Sequence, residues 1–320
     1  MLTVNFNMAE TLAVAIVVLL LGREVKKRVN FLEKFFIPAP VVGGVIFSIL
    51  LLIGNNTGAF TFNFDGVLKD FLMLIFFTTI GFTASGKLLK KGGVGVVIFL
   101  ITATVLVIIQ DVVGVSMAKV FGLNPLLGLA VGSIPLTGGH GTSGAFGPVL
   151  EQLGVTGGLS VSIAAATYGL IAGCLIGGPI AKRLKEKYNL KPNLEETGMS
   201  IEELEDATVN PVSESTLFDA VVVISLAMGI GYWIAPFLKT YGVVIPAYIG
   251  PMFIAAIIRN IADMSKKELP MKEISITGNI ALSLFLAMAL MTLKLWELAA
   301  LAVPIVTILL IQTVIMAAYA

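Results

Sequence analysis

Long, nearly uninterrupted apolar runs constrain this chain more than any other feature of its sequence. The run from Val94 to Val120 contains only two charged residues, Asp111 and Lys119. A helix needs about 20 largely apolar residues to cross a bilayer. Runs of this kind recur along the chain and predict nine membrane-spanning helices: Met8–Gly22, Phe36–Gly54, Phe71–Gly86, Val94–Val120, Ser160–Ala181, Leu217–Leu238, Val243–Arg259, Gly278–Leu293 and Trp296–Tyr319.

The composition agrees with an all-α polytopic membrane protein. Of the 320 residues, 57% are apolar and 13% are charged, and the mean hydropathy is +0.97. Soluble domains carry about 25% charged residues, so this chain has too few to cover a soluble globule. A soluble enzyme, a nucleic-acid-binding protein and a disordered chain are therefore excluded. The net charge of +1 indicates no polyanionic partner, and the single cysteine allows no internal disulfide.

Lysine and arginine are unevenly distributed between the connections. The connections after the first, third, fifth and seventh predicted spans hold 17 of the 21 lysines and arginines. Cytoplasmic loops are the ones rich in these residues. The pattern therefore predicts an N-terminus outside the cell and a cytoplasmic hydrophilic stretch at 182–215. We interpret that stretch as a solvated linker between two halves, with a regulatory segment as the alternative.

The two sides of the linker resemble each other. Ile37-Pro38-Ala39 recurs as Ile245-Pro246-Ala247, and Ile109-Gln110 recurs as Ile311-Gln312, at offsets of 208 and 202 residues. Five predicted spans precede the linker, so the second copy is inverted relative to the first. Inverted repeats are typical of secondary transporters, with the substrate site at the repeat interface. We expect repeats at 1–181 and 216–320, the second with four spans and therefore incomplete.

A glycine-rich segment at 122–154 is interpreted as a re-entrant hairpin between the fourth and fifth spans. Pro125–Leu136 is apolar but too short to cross a membrane. The glycines that follow favour an extended tip, and helix can resume at Ala145. Non-helical backbone at membrane depth is tolerated only inside protein or beside a water-filled cavity, so the tip should line a pathway. The alternative is a glycine-rich loop on the outer surface.

Backbone and polar side chains of this hairpin are the predicted ligands. Free N–H groups at the start of its second helix can bind a carboxylate, and exposed carbonyls can replace the water around sodium. The candidate binding residues are Gln110, Asp111, Ser133, Thr137, Gly138, Gly139, His140, Gly141, Thr142 and Gln312, with Gly138, Gly139 and Asp111 as sodium ligands. Asp111 is alternatively a structural brace, and His140 alternatively a neutral imidazole that bonds hairpin groups. No cofactor and no catalytic residue is predicted.

The chain resembles the bacterial sodium/glutamate symporters over essentially its whole length. The resemblance is carried by Gly132-Ser133-Ile134, Gly138-Gly139-His140-Gly141-Thr142, Ile37-Pro38-Ala39-Pro40, Leu282–Met291 and Leu293–Leu298. It implies an inner-membrane transporter of two inverted five-helix domains, each with a re-entrant loop. It further implies sodium-driven import of L-glutamate, or of D-glutamate in some members, by a homodimer. Family members continue with a tenth span and a second glycine-rich loop.

Two other functions are compatible with the same residues. Backbone groups at a helix terminus bind any carboxylate, so a di- or tricarboxylate symporter of similar architecture is the first alternative. An ion channel with the hairpin as its filter is the second, although an inverted repeat suits alternating access better. An enzyme is not predicted, because no nucleophile–base pair or metal-ligand set stands out.

Overall fold

The computed structural model describes residues 2–34, 37–188, 212–242, 245–292 and 301–320. Most of the predicted linker lies outside the described residues, as do 243–244 and 293–300, which include the segment Leu293–Leu298 of the family resemblance. The described chain is mostly helical. Its elements are β1 (Leu2–Phe6), α1 (Met8–Arg28), α2 (Asn30–Lys34), α3 (Ala39–Thr57), β2 (Phe60–Phe64), α4 (Val67–Phe82), α5 (Gly86–Val120), α6 (Leu127–Ala130), α7 (Ser133–Leu136), α8 (Gly139–Gln152), α9 (Gly158–Lys187), α10 (Glu214–Tyr232), α11 (Ile234–Lys239), α12 (Ile249–Met264), α13 (Met271–Met291) and α14 (Ala302–Tyr319).

Six of the nine predicted spans coincide with helices that are long and apolar enough to cross a membrane. Within the described residues these are α3, the part of α5 from Gly92 to Val120, α9, α10 continued by α11, α13 and α14. The first, third and seventh predicted spans also form helices. However, α4 and α12 have only 16 residues each, and α1 ends in the basic residues Lys26, Lys27 and Arg28.

A small parallel sheet is the part of the fold that an all-α prediction left out. Strand β1 pairs in register with β2, Leu2 opposite Phe60 and Phe6 opposite Phe64. The rings of Phe6 and Phe64 stack with centroids 5.1 Å apart, and Phe47 of α3 packs 6.1 Å from Phe64. A two-stranded sheet is marginal alone, so this packing against α3 supports it. The pairing joins segments almost 60 residues apart, which local sequence patterns do not reveal.

The helices α1 and α10 begin with the same N-terminal capping motif. The Asn7 side chain accepts the Glu10 N–H at 3.0 Å, and Glu10 accepts the Asn7 N–H at 2.9 Å. Ser213 and Thr216 form the equivalent reciprocal pair at the start of α10. Such capping boxes satisfy N–H groups that have no partner inside the helix. The first helix on each side of the predicted linker thus starts alike.

The long helices pack as two bundles. The first bundle contains α1, α3, α4, α10, α12 and α13, and the second contains α5 to α9 with α14. The C-terminal half of α13 is central to the first bundle, since every residue from Phe285 to Met291 is buried. The second bundle has its own apolar core, which includes Val131, Val161 and Ile308.

Glycine allows the closest helix contacts of the first bundle. A Cβ on Gly43 of α3 would overlap the Val18 carbonyl of α1, and one on Gly22 would overlap the Ala39 carbonyl. The helices α10 and α12 meet in the same way at Gly231 and Gly250. Small residues let membrane helices approach until their backbones touch, so a larger side chain at these positions would separate the helices.

The corner between α4 and α5 connects the two bundles. Asn260 of α12 accepts the Gly86 N–H at 2.7 Å and donates to the Ala84 carbonyl at 2.8 Å, while the Ser85 hydroxyl donates to Asp263 at 2.5 Å. Helix α5 then kinks at Gly93, whose φ of 55° and ψ of −143° are not helical. We call residues 83–93 the α4–α5 corner. It is held to the first bundle, and beyond it α5 packs with the second.

Candidate functional site

The predicted hairpin is more helical than its composition suggests. Residues 122–154 contain α6 and α7, of four residues each, and the 14-residue α8. The sequence predicted an extended tip with helix resuming at Ala145, and this is wrong, because α8 already begins at Gly139. Gly139 itself has a φ of +71°, which favours glycine. Packing of the glycines against neighbouring helices here outweighs their low intrinsic helix propensity.

Gln110 lies at the centre of a buried polar cluster. Its side-chain oxygen Oε1 accepts the Thr137 hydroxyl at 2.7 Å, and its backbone carbonyl accepts Nε2 of Gln312 at 2.6 Å. Both glutamines are completely buried. Helix α5, the turn after α7, and α14 are therefore joined at one point, a contact between Gln110 and Gln312 that the sequence did not predict.

One oxygen of this cluster is left without a partner. Oε1 of Gln312 is buried and accepts no hydrogen bond from any described residue. The amide cannot simply be turned round, because Oε1 would then face the Gln110 carbonyl instead of donating to it. An unsatisfied buried acceptor costs about 1–3 kcal/mol. A bound cation would satisfy it.

Asp111 makes the brace that the sequence left open as an alternative. Its Oδ1 accepts the N–H of Ser133 at 3.0 Å, at the start of α7. A Cβ on Gly132 would lie 2.9 Å from the same oxygen, so glycine is needed for the approach. Asp111 is half-buried. Asp111 and Gln110 thus each bond the α7 region, Asp111 at its start and Gln110 at Thr137 just after it.

His140 points to a different helix. Its Nε2 lies 3.0 Å from the hydroxyl of Thr167 on α9. That hydroxyl donates to the Ile163 carbonyl, so Nε2 must be the donor of the imidazole–threonine bond. The imidazole therefore bonds a side chain of α9 rather than backbone of the hairpin. The structure does not bring His140 into hydrogen-bonding contact with Gln110 or Asp111.

The glycine motif lies where the second bundle meets the first. Thr142 donates to the Gly138 carbonyl at 2.5 Å, so one predicted sodium ligand already has a partner, although a carbonyl has a second lone pair. A Cβ on Gly141 would lie 2.9 Å from the ring of Phe76 in α4. Around Gly139 the space is open. The candidate residues thus form two groups, one at Gln110 and one at the first turn of α8.

Sequence reasoning missed several polar side chains near the hairpin. The hydroxyl of Tyr168 lies 2.8 Å from that of Thr313 and links α9 to α14. The hydroxyls of Ser162 and Tyr248 are buried and have no hydrogen-bond partner among the described residues. Serine and threonine in an apolar helix commonly bond their own backbone, so their residue types alone gave no signal of contacts between helices.

Comparison with known proteins agrees with this architecture. The family model described as sodium/glutamate symporter matches residues 4–320. The chain is 40% identical to the sodium/glutamate symporter of Escherichia coli (strain K12), over 97% of this chain and 78% of the relative. It is 38% identical to the sodium/glutamate symporter of Haemophilus influenzae, over 99% of this chain and 80% of the relative. No solved structure matches the chain significantly. The chain belongs to the sodium/glutamate symporter family.

Proposed function

We propose that this protein imports L-glutamate together with sodium across the bacterial inner membrane. The family is one of symporters, so the chain is a multi-pass membrane transporter and not an enzyme. The observation that carries the site assignment is the buried cluster of Gln110, Thr137 and Gln312, with its one unpartnered oxygen. Polar side chains inside a membrane bundle are costly to bury and commonly mark the pathway of a substrate or ion.

The two groups of candidate residues fit the two solutes. The first turn of α8 has no side-chain cap, so its N–H groups can bind a glutamate carboxylate with help from the helix dipole. Oε1 of Gln312 and the carboxylate of Asp111 offer oxygens to sodium, with the carbonyls of Gly138 and Gly139 as further candidates. Oxygen ligands of this kind suit a hard monovalent cation.

Coupling to sodium follows from the charge of the substrate. Glutamate carries a net charge of −1, and moving one charge against the membrane potential costs about 2.3 kcal/mol per 100 mV. Co-binding of more than one sodium ion makes the total charge positive. The inside-negative potential then drives import instead of opposing it.

An inverted repeat at 1–181 and 216–320 is supported by the packing. Helix α1 contacts α3 as α10 contacts α12, and α3 contacts α13 as α12 contacts α4. The glycine contacts follow the same correspondence between the repeats, since Gly43 of α3 meets α1 and Gly250 of α12 meets α10. Gln110 and Gln312, which correspond in the repeat, bond to each other. The ion site therefore lies at the interface of the two repeats, where secondary transporters of this plan bind their substrates. The hairpin at 122–154 would be re-entrant.

The proposal also includes the orientation of the chain in the membrane and its oligomeric state. The distribution of lysine and arginine supports an outer N-terminus and a cytoplasmic linker at 182–215. Assembly as a homodimer is proposed from the family resemblance. Cysteine labelling of Leu2→Cys and Val212→Cys in intact cells tests the orientation, because a membrane-impermeant reagent should modify only the first. Cross-linking in the membrane tests the dimer.

Uptake of labelled glutamate into proteoliposomes tests the function. We expect uptake only with a sodium gradient directed inwards, and no inhibition by excess citrate or malate. Uptake that ignores sodium would refute the coupling, and inhibition by citrate or malate would favour the carboxylate symporter. Single-channel currents would favour the channel.

Asp111→Asn examines the ion site more closely. The amide keeps an oxygen for the Ser133 N–H but removes the charge. We expect about tenfold more sodium to be needed for half-maximal uptake, equivalent to about 1.4 kcal/mol. Asp219→Asn, at an exposed carboxylate of α10, is the matched control and should not change the sodium dependence. An unchanged sodium dependence in Asp111→Asn would reduce Asp111 to a brace.

A further inference from the structure

A cavity of about 550 Å³ lies between the α4–α5 corner and the end of α12. It is lined by Gly86, Lys87, Lys90, Asn260, Asp263 and Met264. The lysine and arginine distribution predicts that this end of the bundle faces the cytoplasm. The cavity takes no part in the site described above, and its chemistry is different.

The positive charges at this cavity are available and the negative charge is not. Lys87 and Lys90 are exposed, and neither forms an ion pair with any described residue. Asp263 is bonded to the Ser85 hydroxyl and lies 3.2 Å from Nε of Arg259. An anion at the cavity would therefore meet two exposed ammonium groups and a carboxylate whose charge the Ser85 hydroxyl, Arg259 and, in part, Lys87 already compensate.

Two more lysines, Lys266 and Lys267, follow α12 in the chain directly after the cavity residue Met264 and Ser265. Lys266 has a φ of 54°, a left-handed conformation that normally favours glycine. The Lys267 N–H donates to the Ala262 carbonyl at 3.0 Å and closes this helix end. Lys266 is the only described non-glycine residue with a positive φ. Residues held in strained backbone conformations cluster at functional positions.

An apolar surface continues from the cavity along α5. Leu88 and Leu89 lie between the two lysines and are more than half exposed, and Met264 is 83% exposed. Beyond the kink, Val94 and the residues from Val97 to Ile101 are also exposed. Exposed lysines beside exposed leucines and a bare apolar helix face form an amphipathic surface at the predicted membrane boundary.

We propose that this cavity binds the headgroup of an anionic phospholipid, whose acyl chain lies along the exposed face of α5. The phosphate lies between Lys87 and Lys90, and the acyl chain covers the apolar residues beyond Gly93. Basic pockets between membrane helices on the cytoplasmic side bind anionic headgroups. The bound lipid would hold the α4–α5 corner, where the chain passes from the first bundle to the second.

Native mass spectrometry of the purified full chain, reconstituted with equimolar phosphatidylglycerol and phosphatidylcholine, tests the proposal. The wild-type chain should retain phosphatidylglycerol preferentially. Lys87→Gln with Lys90→Gln should lower that retention about 30-fold, since each lysine near the surface contributes about 1 kcal/mol. Lys182→Gln with Lys185→Gln, at exposed lysines of α9, is the matched control and should retain the lipid.

Four results would overturn the proposal. The first is equal retention in wild type and the Lys87/Lys90 variant, and the second is an equal loss in the control. The third is a change in oligomeric mass in the Lys87/Lys90 variant alone, which would assign this face to a second copy of the chain. The fourth is displacement of the lipid by excess glycerol phosphate, which would assign the cavity to a free phosphate. Glycerol phosphate should not displace the lipid, because it lacks the acyl chain. None of these measurements depends on glutamate transport.

Discussion

The two bundles share close glycine contacts but differ in their buried polar side chains. In the first bundle, helices meet backbone to backbone at glycines such as Gly22, Gly43 and Gly231. In the second bundle, a Cβ on Gly114 of α5 would overlap the Gly128 carbonyl of α6, so helices meet backbone to backbone there too.

In the second bundle, polar side chains also bridge the elements, as Gln110 does to Thr137 and His140 does to Thr167. What the second bundle adds is the pair of completely buried glutamines, Gln110 and Gln312, which carry the proposed ion site.

Buried polar atoms without a hydrogen-bond partner among the described residues are unevenly distributed between the two bundles. Of the three buried side-chain atoms without a partner in the described residues, Gln312 Oε1 and Ser162 Oγ belong to the second bundle. The third, the hydroxyl of Tyr248, precedes α12, and its ring lies 6.2 Å from that of Phe146 in α8. Buried polar groups are normally satisfied in proteins. Their position at or beside the second bundle is what a ligand-binding region requires.

The largest expected effect comes from a substitution that forces two helices apart at a glycine contact of the first bundle. Gly43→Ala places a Cβ on the Val18 carbonyl, and overpacking of this kind costs about 1–3 kcal/mol or more. We expect a clear loss of thermal stability, measured by size-exclusion chromatography of the heated protein in detergent. Gly229→Ala in α10, where no atom lies within 4 Å, is the matched control and should be neutral or stabilising. Equal stability of the two variants would mean that the first bundle is not held by close backbone packing.

A smaller effect on stability and a larger one on transport is expected in the second bundle. Thr137→Val removes the hydroxyl that bonds Gln110, a loss of about 1–2 kcal/mol, or roughly tenfold in glutamate uptake. Thr104→Val, at a threonine that bonds only its own helix, should leave uptake intact. If Thr137→Val unfolds the protein as Gly43→Ala does, the functional distinction between the bundles is lost.

The smallest effect is expected at the α4–α5 corner, which joins the two bundles. The hydrogen bond from Ser85, and then the charge of Arg259, hold the pKa of Asp263 below its ordinary value of 3.8. A carboxyl whose pKa is lowered by folding stabilises the folded state above its ordinary pKa, and this contribution is lost as the pH falls further. Thermal stability should therefore not depend on Asp263 titration between pH 7 and 5, and should fall below about pH 4. Asp263→Asn should show a smaller fall; an identical acid profile would contradict this assignment.

Parts of the site were predictable because they depend on residue type and spacing. The recurrence of Ile-Gln at 109–110 and 311–312 predicted that Gln110 and Gln312 correspond, and the structure joins them. The start of α8 was not predictable, because low glycine propensity placed it at Ala145 and packing placed it at Gly139. The β1–β2 pair and the contact of His140 with Thr167 depend on long-range approach, which local patterns do not encode.

The sequence by itself determined the environment of this protein, its family and most of its helices. Apolar runs about 20 residues long have a low free energy only in a bilayer, whatever the rest of the chain does. Tertiary structure decided how the helices divide into two bundles and which polar atoms meet. The helix packing depends on where glycines let backbones touch, as at Gly43. The polar contacts leave the buried Oε1 of Gln312 without a hydrogen-bond partner among the described residues. Such contacts join residues more than 200 positions apart, and only the packed chain brings them together.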